Sequence, residues 1–108
     1  MAQDFRNVLV RTIGTSDTTL LAGGNYDAVI GIRCCNILTS TIAVDVKIAK
    51  GGDDYFLAKG VSIPPNSAIE LIQGGAKIVL ESGDVLKAKS DTATSLDIVT
   101  SFIDSIST

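Results

Sequence analysis

The side chains able to do chemistry are scattered along this chain and do not form a catalytic set. The sequence contains no His, which removes the usual proton carrier of a serine triad and of most general-base mechanisms. Four carboxylates occupy positions where a strand would point them to solvent: Asp45, Glu70, Glu81 and Asp97. Such positions favour solubility and protection of sheet edges over a paired-carboxylate glycosidase. We therefore predict that the protein is not an enzyme.

Metal and cofactor sites also find little support. The run Gly51 to Asp54 offers two Asp oxygens to calcium but lacks the spread of ligands of a dedicated loop, so a hairpin turn is the better interpretation. Two glycine pairs, Gly23-Gly24 and Gly74-Gly75, open no helix and precede no Lys-Ser/Thr pair, as a phosphate-binding loop requires. We predict no cofactor and no bound metal.

The only two cysteines are the neighbours Cys34 and Cys35. Without His or further Cys they do not form a zinc site. Consecutive strand residues point to opposite faces, so we expect Cys34 to fill space in the core and to form no bridge with Cys35. Free thiols indicate synthesis in a cytoplasm.

Composition narrows the range of partners. Nine Lys and Arg stand against 12 Asp and Glu, a net charge of -3, so the chain has no electrostatic reason to bind nucleic acid or anionic lipid. Its apolar runs are far shorter than the roughly 20 residues of a membrane-spanning helix, and its first residues do not have the pattern of a secretion signal. Tyr26, Tyr55 and Phe56 would suit a sugar-stacking platform, although scattered aromatics more often pack in the core and rim.

The strand pattern is clearest between Thr41 and Lys50 (TIAVDVKIAK). Large β-branched residues alternate there with small or charged ones, which is typical of a strand with one buried face and one solvated face. The predicted inward residues are Ile42, Val44, Val46 and Ile48; the predicted outward residues are Thr41, Ala43, Asp45, Lys47 and Ala49. Because Asp45 is predicted to lie in solvent, its replacement by Ser is expected to change stability by less than about 0.5 kcal/mol.

Turn signals divide the rest of the chain into further extended segments. The predicted strands are Asp4–Gly14, Thr18–Ala22, Tyr26–Thr39 with a bend near Asn36, Thr41–Lys50, Tyr55–Ala58, Ala68–Gln73, Ala76–Glu81 and Val85–Lys89. The segment Leu96–Ile106 fits helical and strand spacing equally, and its Ser, Thr, Ile and Val content favours a strand. About eight short strands indicate an all-β fold: one antiparallel β-sandwich or jelly-roll-like domain over residues 1–108.

The order of these segments resembles a known family. The matching stretches are Thr18–Leu21, Ala28–Ile32, Asn36 with Thr41–Ile48, Tyr55–Lys59, Val61–Pro64, Ser67–Leu71, Lys77–Leu86 and Asp97–Ser101. Together they resemble the small β-sandwich virion structural proteins of tailed bacteriophages, found as head decoration (cement) proteins or as tail and fibre accessories. The sequence departs from that pattern at Pro65-Asn66 and at Cys34-Cys35.

The resemblance implies a phage virion structural protein, above all a capsid decoration or cement protein that binds and stabilises the major capsid protein lattice. It implies a homo-oligomer, partners among the major capsid protein and other virion proteins, and a place in the virion after synthesis in the host bacterial cytoplasm. A tail, neck or fibre accessory component is the alternative within this class. A carbohydrate-binding β-sandwich module is the alternative of another class.

We expect the two ends of the chain to make the protein contacts. Residues 1–7 and 103–108 flank predicted strands and are candidate N-terminal and C-terminal arms. Both carry isolated apolar residues that a small core does not need, and an extended segment can add main-chain hydrogen bonds to a neighbour. The candidate protein-interaction residues are Phe5, Arg6, Asn7, Ile103 and Ile106.

Overall fold

The computed structural model describes residues 4–24, 26–72 and 77–104. Within these ranges there is no helix, and nine strands form two antiparallel sheets. The strands are β1 (Phe5–Ile13), β2 (Thr18–Ala22), β3 (Asp27–Asn36), β4 (Ile42–Lys50), β5 (Asp53–Ile63), β6 (Ala68–Glu70), β7 (Ile78–Leu80), β8 (Val85–Ser90) and β9 (Leu96–Ile103). The prediction of a strand rather than a helix from Leu96 is confirmed, because β9 lies between β1 and β3.

The two sheets have the strand order of a jelly roll. The five-stranded sheet runs β1-β9-β3 and ends with β6 and β7, which pair with different parts of β3; the four-stranded sheet runs β2-β8-β4-β5. Because β6 and β7 share one edge position, the sandwich has eight strand positions, four in each sheet. The all-β sandwich is thus confirmed, and each of the nine strands overlaps one of the segments predicted to be extended.

A carboxylate occupies the gap between β6 and β7. The register of β3 shifts between Val29 and Gly31, and there the Ile32 N–H donates to Glu70 Oε2 at 2.6 Å. Glu70 is predicted to serve solubility and protection of the sheet edge from an outward strand position. Instead it takes a backbone hydrogen bond that a continuous edge strand would have accepted, since a partly buried N–H needs a partner.

The core lies between the sheets and consists mainly of Val, Ile and Leu. Ile42, Val44 and Val46 on β4 are buried, as their alternation predicts, and they pack in one cluster with Ile32 of the five-stranded sheet. Burial of each such side chain stabilises the fold by about 1.5–3 kcal/mol. Both cysteines are free, and Cys34 is fully buried. Burial, with a smaller contribution from the charge of Glu70, raises the pKa of the Cys34 thiol to about 12.

β5 is longer than predicted because a bulge lets the strand continue. A two-residue turn, Gly51-Gly52, has φ of 60° and 86° and joins β4 to β5 as the predicted hairpin. Further along, the register shifts between Val44 and Val46, where Gly60 has φ of 64° and its N–H donates to Asp45 Oδ1 at 2.7 Å. Asp45 was predicted to lie in solvent without a structural role. In the structure it satisfies the backbone of the bulge.

The predicted bend near Asn36 is the end of β3. The Asn36 side chain is buried, and its Nδ2 donates to the carbonyls of Ser40 at 2.8 Å and Ile63 at 3.0 Å. Its Oδ1 accepts the Leu38 N–H at 2.9 Å. One amide therefore ties the loop between β3 and β4 to the end of β5.

Candidate interaction surface

The register of the five-stranded sheet aligns apolar side chains in rows across its outer face. Phe5 on β1 pairs with Ile103 on β9, which pairs with Ala28 on β3, which in turn pairs with Val79 on β7. Phe5 is 76% exposed and Val79 50%. The four positions form a continuous line because directly paired residues point to the same side of a sheet.

A second apolar row crosses β1 and β9, and a row of small side chains separates it from the first. Leu9 pairs with Val99, and their exposed fractions are 67% and 40%. Between the rows, Asn7 pairs with Ser101. An open cleft of about 600 Å³ is lined by Phe5, Arg6, Asn7, Ile30, Ser101 and Phe102.

We call this region the apolar face and define it by Phe5, Leu9, Val79, Val99 and Ile103. Exposed apolar side chains that lie together on one face of a sheet favour contact with another molecule. Arg33 borders the face next to Val99. The arrangement suits packing against an apolar protein surface. No group of three or more His, Cys, Asp or Glu side chains with metal-binding geometry occurs within residues 4–24, 26–72 and 77–104.

Four of the five predicted interaction residues lie close together, where the start of β1 pairs with the end of β9. Phe5, Arg6 and Asn7 belong to β1 and pair with β9, where Ile103 is opposite Phe5. Ile106 lies outside the described residues. The structure describes residues 5–7 and 103 of the predicted arms, and these residues are paired within the sheet.

The Arg6 side chain connects the start of β1 to the end of β9 through ion pairs. Its Nε donates to Asp104 Oδ2 and its Nη2 lies 3.4 Å from Asp4 Oδ2. The Asp104 N–H donates to the Asp4 carbonyl at 3.0 Å. The Asp4 N–H and the Arg6 guanidinium lower the pKa of the Asp104 carboxyl, and Asp104 raises the pKa of Arg6. Arg6 therefore holds the two ends together.

Leu9, Val79 and Val99 are not among the interaction residues predicted from the sequence. The spacing Phe5-x-Asn7-x-Leu9 puts three side chains on one face of a strand, and that was the available signal for Leu9. No local pattern distinguishes the outward Val79 and Val99 from core residues, because their place depends on pairing with distant strands.

The outer face of the four-stranded sheet is charged. Lys47 lies there opposite Lys87, and Asp45 lies opposite Lys89. The Lys47 side chain is only 10% exposed, because its Nζ lies 2.8 Å from Asp17 Oδ2 and 2.9 Å from Asp54 Oδ2. Its position on the outer side is as predicted, but its burial is not. Hydrogen bonds to the two carboxylates raise the pKa of Lys47, and Lys47 lowers the pKa of Asp17.

The three aromatics that would suit a sugar-stacking platform are not all in the same sheet. Lys59 Nζ lies 4.4 Å from the centroid of the Phe56 ring and Lys47 Nζ lies 5.7 Å from it, so two ammonium groups contact the ring. Tyr55 is exposed next to Phe56 on β5, whereas Tyr26 directly precedes β3 in the other sheet.

Over the described ranges there is no helix of a length and hydropathy suited to crossing a membrane. No protein-family model matches the chain, and no curated protein matches it. Among solved structures, the chain is similar to two crystal structures of a pentameric capsid protein isolated from metagenomic phage sequences, one of them solved by iodide SAD phasing.

Both solved structures are 17% identical to this chain and cover 93% of it, with TM-scores of 0.47 and 0.50. The alignments cover 61% and 60% of those chains, so this chain spans about three fifths of their length. At this identity, the similarity at a TM-score of 0.50 shows a shared fold, the all-β sandwich.

Proposed function

We propose that the protein is a structural protein of a tailed-phage virion and acts there as a capsid decoration, or cement, protein. It would bind and stabilise the major capsid protein lattice as a homo-oligomer. The observation that carries this proposal is the apolar face, whose exposed Phe5 and Leu9 lie on a rigid sheet rather than on a loop. A cement protein needs such a rigid surface and needs no catalytic residues.

Three further observations support the proposal. The jelly-roll strand order is widely used in viral capsid domains. The structure that shares the fold at a TM-score of 0.50 is itself a pentameric capsid protein from phage sequences. The order of the segments from Thr18 to Ser101 also resembles the small virion proteins of tailed phages.

The apolar face indicates how attachment would work. One of its rows runs across four strands and the other across two, so the attachment surface would extend over several strands of the sheet. Burial of Phe5 and Leu9 would supply much of the free energy, since full burial of one such side chain contributes about 1.5–3 kcal/mol. Such attachment should change little with salt, because it does not depend on exposed charges.

The test is to add the purified protein to particles that lack it and to count bound copies at low and high salt. The variant Leu9→Lys places a charge in the apolar face and should weaken attachment about 100-fold, since a desolvated unpaired charge is costly. Thr19→Lys is the matched control, because it adds the same charge to an exposed position on the four-stranded sheet. It should bind like the unchanged protein.

Cryo-EM of the reconstituted particles then locates the bound copies. Density on the capsid lattice would support the cement role, whereas density on the tail, neck or fibres would favour the alternative virion position. Equal binding by Leu9→Lys and the unchanged protein would show that the apolar face is not the attachment surface.

A further inference from the structure

The four edges of the two sheets differ in how they are protected from pairing with another molecule. β6 and β7 are three residues each, β2 has five residues and a register shift, and β5 has two register shifts with Gly60 at positive φ. Short strands and bulges are devices that prevent edge-to-edge pairing. β1 is the exception, because its register runs unbroken from Phe5 to Val10.

The backbone of β1 presents alternate residues to this open edge. The Asp104 N–H donates to the Asp4 carbonyl, so residue 4 belongs to a hydrogen-bonded pair with β9. In an antiparallel ladder such pairs alternate along the strand. The N–H and C=O groups of Phe5, Asn7 and Leu9 are therefore directed away from β9. Beyond Val10 the register shifts and Asp97 Oδ1 accepts the Thr12 N–H, which ends the open stretch.

The side chains of the same three residues are self-complementary. If two β1 strands run antiparallel with Asn7 opposite Asn7, each Phe5 stands opposite Leu9 of the other copy on the outer face. Aromatic–aliphatic cross-strand pairs stabilise a sheet, and two facing amides can hydrogen-bond. All outward main-chain groups from Phe5 to Leu9 would then be paired.

We infer that two copies of this chain associate through β1, with Asn7 on the two-fold axis. The two five-stranded sheets become one continuous sheet, and the apolar faces of both copies join on one side. The inference gives a form to the homo-oligomer of the proposed function and rests on it for that role, but the contact itself does not require a virion.

The charges of β1 are compatible with this pairing. Asp104 and Asp4 neutralise Arg6. The two Arg11 side chains would lie at opposite ends of the contact, about 27 Å apart at 3.4 Å per residue, which exceeds the screening length of physiological salt. The paired stretch is short and buries less than the roughly 800 Å² per partner of a standard stable complex, so the dimer should dissociate on dilution.

The first experiment blocks the open edge without touching the ladder to β9. Asn7→Pro removes an N–H that faces the open edge of β1. Proline is tolerated at such edge positions of strands. Sedimentation equilibrium from micromolar to millimolar concentration should show a monomer–dimer equilibrium for the unchanged protein. Asn7→Pro should raise its dissociation constant at least about tenfold. Asn7→Ser, which keeps the N–H, should dimerise, and circular dichroism should show that both variants fold.

The second experiment detects the two-fold axis by disulfide formation. Paired residues across a hydrogen-bonded position have Cα atoms about 5.5 Å apart, which suits a disulfide. In a Cys35→Ser background, where the remaining Cys34 is buried, Asn7→Cys should form a covalent dimer under mild oxidation. Ser101→Cys, the neighbour of Asn7 on β9, is the control; it would lie three strand spacings from its counterpart, about 14 Å, and should stay monomeric.

A protein that stays monomeric at millimolar concentration would overturn the inference, as would an oligomer, a ring of five included, that is unchanged by Asn7→Pro. Failure of Asn7→Cys to cross-link would also contradict it. These measurements use the isolated protein, so their failure is distinct from loss of attachment to particles. A covalent dimer that forms but does not bind particles would confirm the contact and count against the cement role.

Discussion

The outer faces of the two sheets differ in chemistry although both sheets bury the same core. The five-stranded sheet carries exposed Phe5 and Leu9 in apolar rows, whereas the four-stranded sheet carries lysines and carboxylates next to the exposed aromatic residues of β5. On the four-stranded sheet the polar groups are bound within the chain: Asp45 accepts the Gly60 N–H, and Lys47 lies between Asp17 and Asp54.

This difference suggests that one face stabilises the fold and that the other contacts another molecule. Polar groups that are paired within the chain stabilise the fold and leave little to offer a partner. Exposed Phe5 and Leu9 stabilise the isolated molecule less, because most of their area stays in water. Their presence on a rigid sheet makes sense where another molecule covers them. The comparison predicts that changes on the charged face alter unfolding, and that changes on the apolar face alter association.

The largest expected effect tests whether the two sheets share one core beneath these different faces. Val46→Asp and Ile32→Asp each place a carboxylate at a fully buried position, one on each sheet. Each should lower the free energy of unfolding by about 4 kcal/mol or more, because an unpaired charge loses its hydration. Urea unfolding at neutral pH gives the values.

Alanine variants keep this test measurable if the aspartate variants do not fold. Val46→Ala and Ile32→Ala should each cost about 2–4 kcal/mol, through lost burial and the cavity that remains. A large effect on one sheet and a negligible effect on the other would show that the sheets do not contribute equally to a common core.

An intermediate effect distinguishes the two outer faces. Asp45→Ser removes the acceptor of the Gly60 N–H and should lower stability by about 1 kcal/mol, because the shorter serine does not reach the bulge. Asn7→Ser is the counterpart on the apolar face and should change stability by less than about 0.5 kcal/mol. Urea unfolding of both variants at a concentration that keeps the protein monomeric makes the comparison. Equal values would contradict the assignment of the charged face to stability.

Local patterns in the sequence were sufficient to predict most of the strands. The alternation around Val46, the turn at Gly51-Gly52 and the strand from Leu96 all depend on neighbours in the chain, and the structure confirms them. The bulge at Gly60 was not predicted, because it needs Asp45 of the adjacent strand to stabilise it. Glu70 was assigned to solvent for the same reason: the gap that it fills exists only in the assembled sheet.

The candidate surface was only partly predictable. Phe5 and Asn7 are predicted interaction residues because they lie near the end of the chain, and in the structure they are paired with β9 as part of β1. Leu9 and Val99 become neighbours because β1 pairs with β9, strands from opposite ends of the sequence. Periodicity gives the side of a strand on which a residue lies; it does not give the partner strand.

The smallest expected effect concerns the ion pairs of the charged face. Lys47 lowers the pKa of Asp17 below its ordinary value of 3.8, first through their hydrogen bond and to a smaller extent through charge, to which Lys89 and Lys87 also contribute. A carboxyl with a lowered pKa stabilises the folded state above its unfolded pKa, and this stabilisation is lost as the pH falls through the folded value. The pKa of Lys47 is raised above its ordinary value of 10.5. Lys47 therefore stabilises the folded state below pH 10.5, and this stabilisation is lost as the pH rises through the folded pKa.

Asp17→Asn should therefore lower the thermal midpoint at neutral pH by about 2 °C or less, since Asp17 is 38% exposed and the pair is screened by solvent. The difference between the variant and the unchanged protein should shrink as the pH falls below about 4, because Asp17 then becomes protonated in both the unfolded and the folded state. Comparing the two proteins at each pH cancels the titration of Asp91 and Asp104, whose pKa values are also lowered. High salt should reduce the difference at neutral pH in the same way. A difference that stays constant through acid pH and high salt would mean that Asp17 acts by packing, and the charged face would then owe its stability to shape rather than to ion pairs.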